Sequence, residues 1–347
     1  MEDALLKDGC MEIEKTLSAA ARTMDEAVCA YAARAKNYEL VAQLEMKHAK
    51  TLPQQAHSVC MSGGKVYVGT WSGDVFVYED GVYAERFQPG TTRVVKMEAH
   101  KGGIVVVHAD GLVSYVKEKE GVLHQLPGYI RGAVHPYNPW LVSQSAAGLE
   151  VFDFSHGKSL CTGGAPGLSA LSIHPAGSCL LSAGKTLCIV DLRCMQVAVE
   201  AENILEVQEG LFHSMGVEMI VSARKKIKTI DVRNMCQIKQ ISTRDTATVL
   251  CEHRDSLVYS GPSLYTRSIC PVTGKSLFLL EKPALHIASD GQQMVLIDSA
   301  KEMRTYAPKG EPAQTHGSSA RARHGGAKDT AQEKSQEVAE DARSCKQ

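Results

Sequence analysis

The chain has 347 residues, and its 38 basic and 39 acidic side chains leave a formal net charge of −1. A balance this close to neutral provides no global field that would concentrate nucleic acid or anionic lipid, so nucleic acid is not expected as a partner. No apolar stretch approaches the roughly 20 residues that a membrane-spanning helix needs, and the acidic start does not suit a presequence. These features favour a cytoplasmic or nuclear protein with no membrane partner.

Eleven cysteines are present, an odd number with no Cys-x-x-Cys pair. Cys60, Cys188 and Cys251 lie within apolar, strand-like runs, where a reduced cysteine behaves as a small hydrophobic residue. We therefore predict neither a disulfide framework nor a cysteine-bound metal.

The first 47 residues are predicted to form a long amphipathic helix. No glycine or proline occurs from Ile13 to about Leu44, and apolar residues recur in alternating steps of four and three, which is helical spacing. The helix seam consists of Ile13, Leu17, Met24, Tyr31 and Tyr38. Two interpretations remain open: the helix forms a coiled coil with a second chain, giving a homo-oligomer, or it packs against the rest of its own chain.

Two sequence marks recur along the middle of the chain with the same period. Histidines open a similar phrase at intervals of 39, 39 and 40 residues, and aspartates between apolar residues follow 17 or 18 positions after a histidine. The histidines are His135, His174, His213 and His253, and the aspartates are Asp153, Asp191 and Asp231. A period of about 40 residues built from short strands predicts the blades of a β-propeller, since a four-stranded sheet must stack on neighbours to bury both faces.

From Thr51 the apolar residues alternate with polar ones and Gly-rich turns separate them, which predicts strands joined by tight hairpins. Seven blades fit, and the propeller is assigned to residues 48–308. Their predicted bounds are 54–90, 91–128, 129–166, 167–203, 204–244, 245–282 and 283–308. The last blade is one strand short, and we predict that His48 to Gln54 supplies its outer strand and closes the ring.

Residues 309–347 turn to glycine, serine, alanine, glutamine and mixed charge, with almost no large apolar side chain. Such a composition cannot repay the entropy of ordering, so this segment is predicted to be a disordered tail. The predicted fold class is thus an all-β, seven-bladed β-propeller preceded by one long amphipathic α-helix and followed by a disordered tail.

The propeller segment resembles the WD-repeat family in its period and in three phrases that stand where that family ends its third strand. These are Val151-Phe152-Asp153-Phe154, Ile189-Val190-Asp191-Leu192 and Thr229-Ile230-Asp231-Val232, and all three lack the family's tryptophan. The Gly-His pair that usually opens a blade is also absent. A helix leading into seven blades is similar in layout to G-protein β subunits and to TRAF-type propellers that follow a coiled coil, a likeness that assigns no partner.

No catalytic residue, cofactor site or metal site is predicted. The inner strands read as an apolar wall apart from Lys96 and His286, and there is no Gly-rich phosphate cradle or nucleophile elbow. The periodic histidines lie on successive blades around a wide disc, too far apart to converge on one zinc ion. An enzyme built at the channel mouth is kept only as a remote alternative.

The partner-binding residues are expected in loops that a rigid propeller displays. Loops at one end of the ring carry Trp71, Tyr129, Arg131, Arg224 and Lys225, a composition typical of an interface hot spot, although Trp71 could instead pack between blades. Two further candidates, Arg193 and Arg233, follow an aspartate by two positions. This Asp-x-Arg spacing is similar to the box by which WD-repeat substrate receptors dock on cullin-type ubiquitin ligases.

The function predicted from these features is a non-catalytic protein-protein interaction scaffold. Its propeller loops would bind a protein partner, and its amino-terminal helix would mediate oligomerisation or a second contact. A ubiquitin-ligase substrate receptor that uses the Asp-x-Arg motifs is the alternative.

Overall fold

The computed structural model describes residues 41–309, apart from gaps at 118–119, 127, 146, 165–169, 185, 202–203, 205, 263, 272 and 281. Within these residues the protein is all-β, with 28 strands in seven four-stranded antiparallel sheets. A helical turn at residues 41–42 precedes the first strand, and no helix in this part of the chain combines the length and apolarity of a membrane span. The predicted helix seam lies outside the described residues, and so does the predicted tail apart from its first residue, Lys309.

Six of the seven sheets are continuous in sequence, and each forms one blade with its first strand innermost. Blade 1 consists of β2 (Ala56–Ser62), β3 (Lys65–Thr70), β4 (Val75–Glu79) and β5 (Val82–Phe87). Blade 2 consists of β6 (Val94–His100), β7 (Gly103–His108), β8 (Leu112–Lys117) and β9 (Glu120–Gln125). Blade 3 consists of β10 (Arg131–Val134), β11 (Trp140–Ser145), β12 (Gly148–Asp153) and β13 (Lys158–Gly163).

Blade 4 consists of β14 (Ala170–Ile173), β15 (Cys179–Ala183), β16 (Leu187–Asp191) and β17 (Gln196–Ala201). Blade 5 consists of β18 (Val207–Phe212), β19 (Glu218–Ala223), β20 (Lys226–Asp231) and β21 (Gln237–Ser242). Blade 6 consists of β22 (Val249–His253), β23 (Ser256–Gly261), β24 (Leu264–Ile269) and β25 (Ser276–Leu279).

Blade 7 is the one sheet that joins the two ends of the propeller. Its first three strands are β26 (His286–Ser289), β27 (Met294–Ile297) and β28 (Glu302–Pro308), and its outer strand is β1 (Leu44–Thr51), paired antiparallel with β28. The predicted closure by a strand from the amino-terminal side is therefore confirmed. The bounds differ, because the strand begins four residues before His48 and ends at Thr51, so the helix predicted for residues 1–47 is wrong over Leu44 to Lys47. Six of the seven predicted blade segments each contain one complete sheet, and the segment 283–308 contains the other three strands of blade 7.

The hydrophobic core lies between blades. Each of the seven hydrophobic clusters found in the described residues joins side chains of two neighbouring blades. In the cluster between blades 7 and 1, for example, Val295 and Ile297 pack with Val66 and Phe76. A blade therefore has no apolar core of its own, and burial of its faces depends on both neighbours.

Three of the periodic histidines tie successive blades together on one face of the ring. His135 Nε2 lies 3.1 Å from the carbonyl oxygen of Gly177, and His174 Nε2 lies 2.7 Å from that of Gly216. His213 Nε2 makes the equivalent contact with the next blade at 3.3 Å. In each case Nδ1 accepts a backbone N–H of the histidine's own turn, so the ring proton lies on Nε2 and is donated across the seam.

Gly177 and Gly216 are required where they receive these histidines. Both have positive φ, +76° and +71°, and a Cβ on either would lie 2.5 Å and 2.8 Å from the imidazole of the preceding blade. Only glycine combines that backbone conformation with such a close approach. At the third seam Asp255 occupies this position with φ 61°, and there the contact is the longest of the three.

The alternation of strand directions divides the loops between two faces of the ring. The upper face carries the loops that join second to third strands and those that join one blade to the next. The lower face carries the loops after first strands, which include the histidine turns, and those between third and fourth strands. These two names are kept below.

A buried histidine at the seam between blades 6 and 7 makes stability depend on pH. His253 is fully buried, its Nδ1 lies 2.8 Å from Ser289 Oγ, and burial lowers its pKa to about 4. The unfolded chain binds this proton with a pKa of about 6.5, so the stability that neutral His253 contributes is present above that pH and is lost as pH falls toward 4. Between pH 7 and 5 this loss amounts to about 2 kcal/mol in the free energy of unfolding.

We expect His253→Gln to remove that part of the pH dependence, so that the variant loses about 2 kcal/mol less than the unsubstituted chain between pH 7 and 5. Urea unfolding at the two pH values measures it. His48→Gln, at an exposed position of β1, serves as the control and should keep the original pH dependence. Equal slopes for all three proteins would contradict the assignment.

Candidate functional site

A cavity of about 450 Å³ opens at the centre of the ring on its upper side. Every blade contributes to its wall through the first strand or the residues just before it. These strands converge because neighbouring first strands contact one another around a closed circle. The cavity is thus a direct product of ring closure.

Bulges at the start of three first strands shape the wall. The pairing register shifts between Ala56 and Ser58 in β2, between Val94 and Lys96 in β6, and between Val207 and Glu209 in β18. A bulge leaves one residue unpaired and re-aims its neighbours, and bulges are common beside functional sites. Here they place the polar or charged side chains of His57, Lys96 and Glu209 at the cavity.

Four charged side chains, those of Lys96, Glu98, Arg131 and Glu209, form a cluster in the channel. Lys96 Nζ lies 2.7 Å from Glu98 Oε1 within blade 2, and Glu98 Oε2 accepts the Val134 N–H of blade 3 at 2.6 Å. Arg131 of blade 3 reaches Glu209 of blade 5, with 3.7 Å between Nη1 and Oε2. Lys96 and Glu209 line both the upper cavity and a deeper one of about 280 Å³, so this charged cluster divides the channel.

Burial shifts the pKa of several groups at the cavity. Burial raises the pKa of Glu209 even though Arg131 and Lys96 act to lower it, and burial also raises the pKa of Tyr129. Burial lowers the pKa of His286 to about 4, and it lowers that of His57, an effect that the nearby Arg93 reinforces. Perturbed groups gathered in a cavity indicate a candidate functional site.

Trp71 stands beside this cavity with 60% of its surface exposed. Its indole contacts two neighbours: the His57 ring is tilted by 54° with its centroid 5.3 Å away, and the Arg93 guanidinium carbon lies over the indole, 5.0 Å from its centroid. The two interpretations made from the sequence therefore combine, because Trp71 packs at the seam of blades 1 and 2 and is still exposed. A large aromatic side chain that is both exposed and held in place suits a binding anchor.

The structure places the partner-binding candidates on two different faces. Trp71, Tyr129, Arg131, Arg224 and Lys225 lie on the upper face, and the first three are at or beside the cavity. Arg224 lies in the upper loop of blade 5 and pairs with Glu206 at 2.8 Å. Arg193 and Arg233 lie on the lower face, so the set does not form one surface.

Arg193 and Arg233 are each engaged by the aspartate of their own turn. The Nε and Nη2 atoms of Arg193 donate to Asp191, and those of Arg233 donate to Asp231 in the same way. The bond from Arg193 is the largest cause that lowers the pKa of Asp191 to about 2. The guanidinium edge that would fork onto a partner is therefore occupied within the turn.

Four residues of the site are absent from the sequence-based candidates: His57, Arg93, Glu98 and Glu209. The expectation of an apolar channel wall broken only by Lys96 and His286 is wrong, because these first strands also present charged groups. Glu209 carries a weak signal, since it stands at the same distance before His213 as Lys96 does before His100. Arg93 and His57 carry none, because only the folded ring brings them to Trp71.

His213, Glu252 and Asp255 form a group whose ligand atoms lie within 4.8 Å of one another. The group does not fit a metal ion. Nδ1 of His213 accepts the Met215 N–H, which leaves the proton on Nε2 where a metal would need a lone pair. The Glu252 carboxylate already accepts the N–H and the hydroxyl of Ser214, at 2.7 Å and 2.6 Å.

No protein-family model and no curated protein matches the chain. Among solved structures, it is similar to the beta-propeller domain of Cps50 (Swd1) from Myceliophteria thermophila, with 12% identity, a TM-score of 0.66, and coverage of 76% of this chain and 99% of that one. A chain in a crystal structure of the mitotic checkpoint complex gives 14% identity, a TM-score of 0.65, and coverage of 76% and 95%. These likenesses agree with the seven-bladed propeller fold and show the fold alone. Because 1542 chains of known structure match, the likeness is to a common architecture and assigns no function.

We expect Lys96 and Glu98 to be coupled in their contributions to the free energy of unfolding. Removing the carboxylate by Glu98→Ala leaves Lys96 without its partner in the channel and the Val134 N–H without its acceptor, and should lower the free energy of unfolding by about 2 kcal/mol. Lys96→Met combined with Glu98→Ala should cost less than the sum of the single changes, which a double-mutant cycle by urea unfolding measures.

The matched control is the exposed pair Lys65–Glu79, whose charged atoms lie 2.6 Å apart. Its coupling energy should stay below about 1 kcal/mol, as for most surface pairs. Equal coupling energies in the two cycles would show that the channel pair contributes no more than a surface pair.

Proposed function

We propose that this protein is a non-catalytic interaction scaffold that binds a protein partner on its upper face, at the mouth of the central channel. The observation that carries the proposal is the exposed Trp71, whose indole contacts both the Arg93 guanidinium and the His57 ring. Tryptophan and arginine dominate binding hot spots, and truncating such an anchor typically weakens binding by about 2 kcal/mol or more. A propeller supplies the rigid frame that displays such loops.

We assign no reaction to the charged cluster in the channel. A catalytic carboxylate must be able to exchange a proton or bind a reacting atom. Glu98 is held by Lys96 and by the Val134 N–H, and Glu209 faces Arg131. The cluster gives the enzyme alternative a location, and binding remains the function that the geometry supports best.

The amino-terminal helix is proposed to bind a second protein chain, either another protein or a second copy of this one. The support is the apolar seam in the sequence, since the helix lies outside the described residues. The ligase-receptor alternative stays a prediction that no observation favours, because both Asp-x-Arg guanidinium groups are engaged by their own aspartates.

Affinity purification of the tagged, full-length chain tests the upper-face proposal. Trp71→Ala should remove a defined set of co-purifying proteins, identified by mass spectrometry, because it removes the anchor of the interface. Tyr137→Ala is the matched control, since Tyr137 is an aromatic residue with 59% exposure on the lower face. Arg193→Ala and Arg233→Ala test the lower face in the same experiment.

Identical sets of proteins from the unsubstituted chain and from Trp71→Ala, with the fold of the variant verified by urea unfolding, would refute the upper-face proposal. Loss of a ligase adaptor with Arg193→Ala and Arg233→Ala would instead support the alternative.

The oligomer proposal has its own test. Met24→Glu together with Tyr31→Glu places charges on the apolar seam and should lower the mass measured by light scattering while leaving the urea unfolding midpoint of the propeller unchanged. An unchanged mass would remove the oligomer from the proposal.

A further inference from the structure

We propose, building on the proposed function, that the upper-face patch binds an acidic segment of a partner protein that carries a large apolar side chain. The patch consists of Trp71, Arg93, Ile130, Arg131 and Leu285. The apolar side chain would pack on Trp71 and at the cavity mouth, and the carboxylates would pair with the two arginines.

The apolar part of the patch follows from exposure. Trp71, Ile130 and Leu285 are among the exposed large hydrophobic residues of the described chain. Ile130 and Leu285 line the cavity mouth, and His57 connects the mouth to Trp71 because its ring lines the cavity and contacts the indole. Three apolar side chains around a concave mouth match the core of an interface, where a partner's aromatic or aliphatic side chain is buried.

The charged part of the patch consists of Arg93 and Arg131, which differ in their contacts. Arg93 is exposed, stacks on Trp71 and has no carboxylate partner among residues 41–309 as described. A stacked guanidinium still offers its N–H groups to a planar acceptor such as a carboxylate. Arg131 is paired with Glu209, but only at 3.7 Å between Nη1 and Oε2, and its other N–H groups can bind a partner's carboxylate as well.

Most acidic side chains of the upper face are engaged within the protein. Asp74 is buried and accepts bonds from Arg86, Ser72 and Gln54. Glu206 pairs with Arg224. Asp245 accepts the N–H of Thr246, and the exposed Asp110 accepts the N–H of Leu112.

Further around the same face, Lys225 and Arg244 are exposed and have no ion pair within the described residues. Together with Arg93 they give the described part of the upper face a set of exposed cations that have no ion pair. Complementary charge steers association and fixes register, so a partner segment with surplus carboxylates fits this face.

A protein segment fits better than a nucleic acid. Single-stranded nucleic acid binds to grooves in which several aromatic side chains alternate with cations. Among the described residues that line or adjoin the cavity, Trp71 is the one strongly exposed aromatic side chain, and the carboxylates of Glu98 and Glu209 lie in the channel. Phosphates extending into the channel would meet those carboxylates.

Selection from a phage-displayed library of random dodecapeptides on the immobilised, full-length chain tests the inference. The enriched peptides should combine aspartate or glutamate with phenylalanine, leucine or tryptophan, and their enrichment should be lost with Trp71→Ala and kept with Tyr137→Ala. A synthetic copy of the most enriched peptide is then titrated. Trp140→Phe leaves Trp71 as the only tryptophan, so its emission reports binding directly.

We expect the Kd of that peptide to rise about tenfold with Arg93→Gln and to rise with added salt, because the carboxylate contacts are exposed. Arg193→Gln, an equal loss of charge on the lower face, is the control and should leave the Kd unchanged. Enriched peptides that depend on Trp71 but are basic or uncharged would overturn the acidic inference and leave the proposed function intact. Tighter, Trp71-dependent binding of oligo(dT) dodecamer would overturn it in favour of nucleic acid.

A selection without any Trp71-dependent peptide would also overturn the inference. The proposed function is tested by a different experiment, the affinity purification, and it is refuted if Trp71→Ala leaves the set of co-purifying proteins unchanged.

Discussion

The seam between blades is the interaction on which the rest of the structure depends. Each hydrophobic cluster in the described residues is shared by two blades, so no blade can bury its apolar faces until both neighbours are present. Polar contacts strengthen the same seams, because His135, His174 and His213 donate to carbonyls of the next blade. An open row of seven blades would expose two apolar faces, and β1 prevents this by covering β28.

Ring closure also creates the candidate site. Seven first strands meet around one channel, and that geometry brings residues far apart in sequence within contact distance, as with Arg131 and Glu209. The bulges in β2, β6 and β18 then decide which side chains enter the channel. A charged cluster between blades 2, 3 and 5 links the walls across the channel in addition to the links along the seams.

The period of the sequence predicts the blades well, because each blade repeats the same burial problem with a histidine turn and an apolar-aspartate phrase. It predicts β1 less well. Leu44 is the only buried residue of that strand, and six of its eight residues are exposed. The sequence therefore does not show the alternation of a half-buried strand. It also shows no clear boundary with the preceding helical pattern. The difference of four residues from the predicted start at His48 follows from this absence of alternation.

The site was predicted only in part for a related reason. Trp71 and Arg131 can be assigned to the upper face because a Gly-rich turn and a blade boundary locate their loops. The contacts of Arg93 and His57 with Trp71 depend on the packing of blade 1 against blade 2, and the position of Glu209 depends on a bulge. Neither a seam contact nor a bulge changes the period of the sequence, so pattern alone does not reveal them.

The two faces of the ring use their polar groups differently, and this difference favours the upper face for binding. On the lower face, Asp191 and Asp231 hold Arg193 and Arg233, and the histidine turns hold the next blade. The Nε–Nη2 edge of each guanidinium can bind a partner's carboxylate only if the bond to its own aspartate is broken, which reduces the net gain from such a contact. On the upper face, Arg93 is oriented by stacking on an aromatic ring and has no carboxylate partner among the described residues, so a partner's carboxylate can bind it without displacing one. The physical asymmetry is therefore between a face whose histidines and Asp-x-Arg turns are engaged within the ring and a face on which Arg93 is oriented by Trp71 and has no carboxylate partner among the described residues.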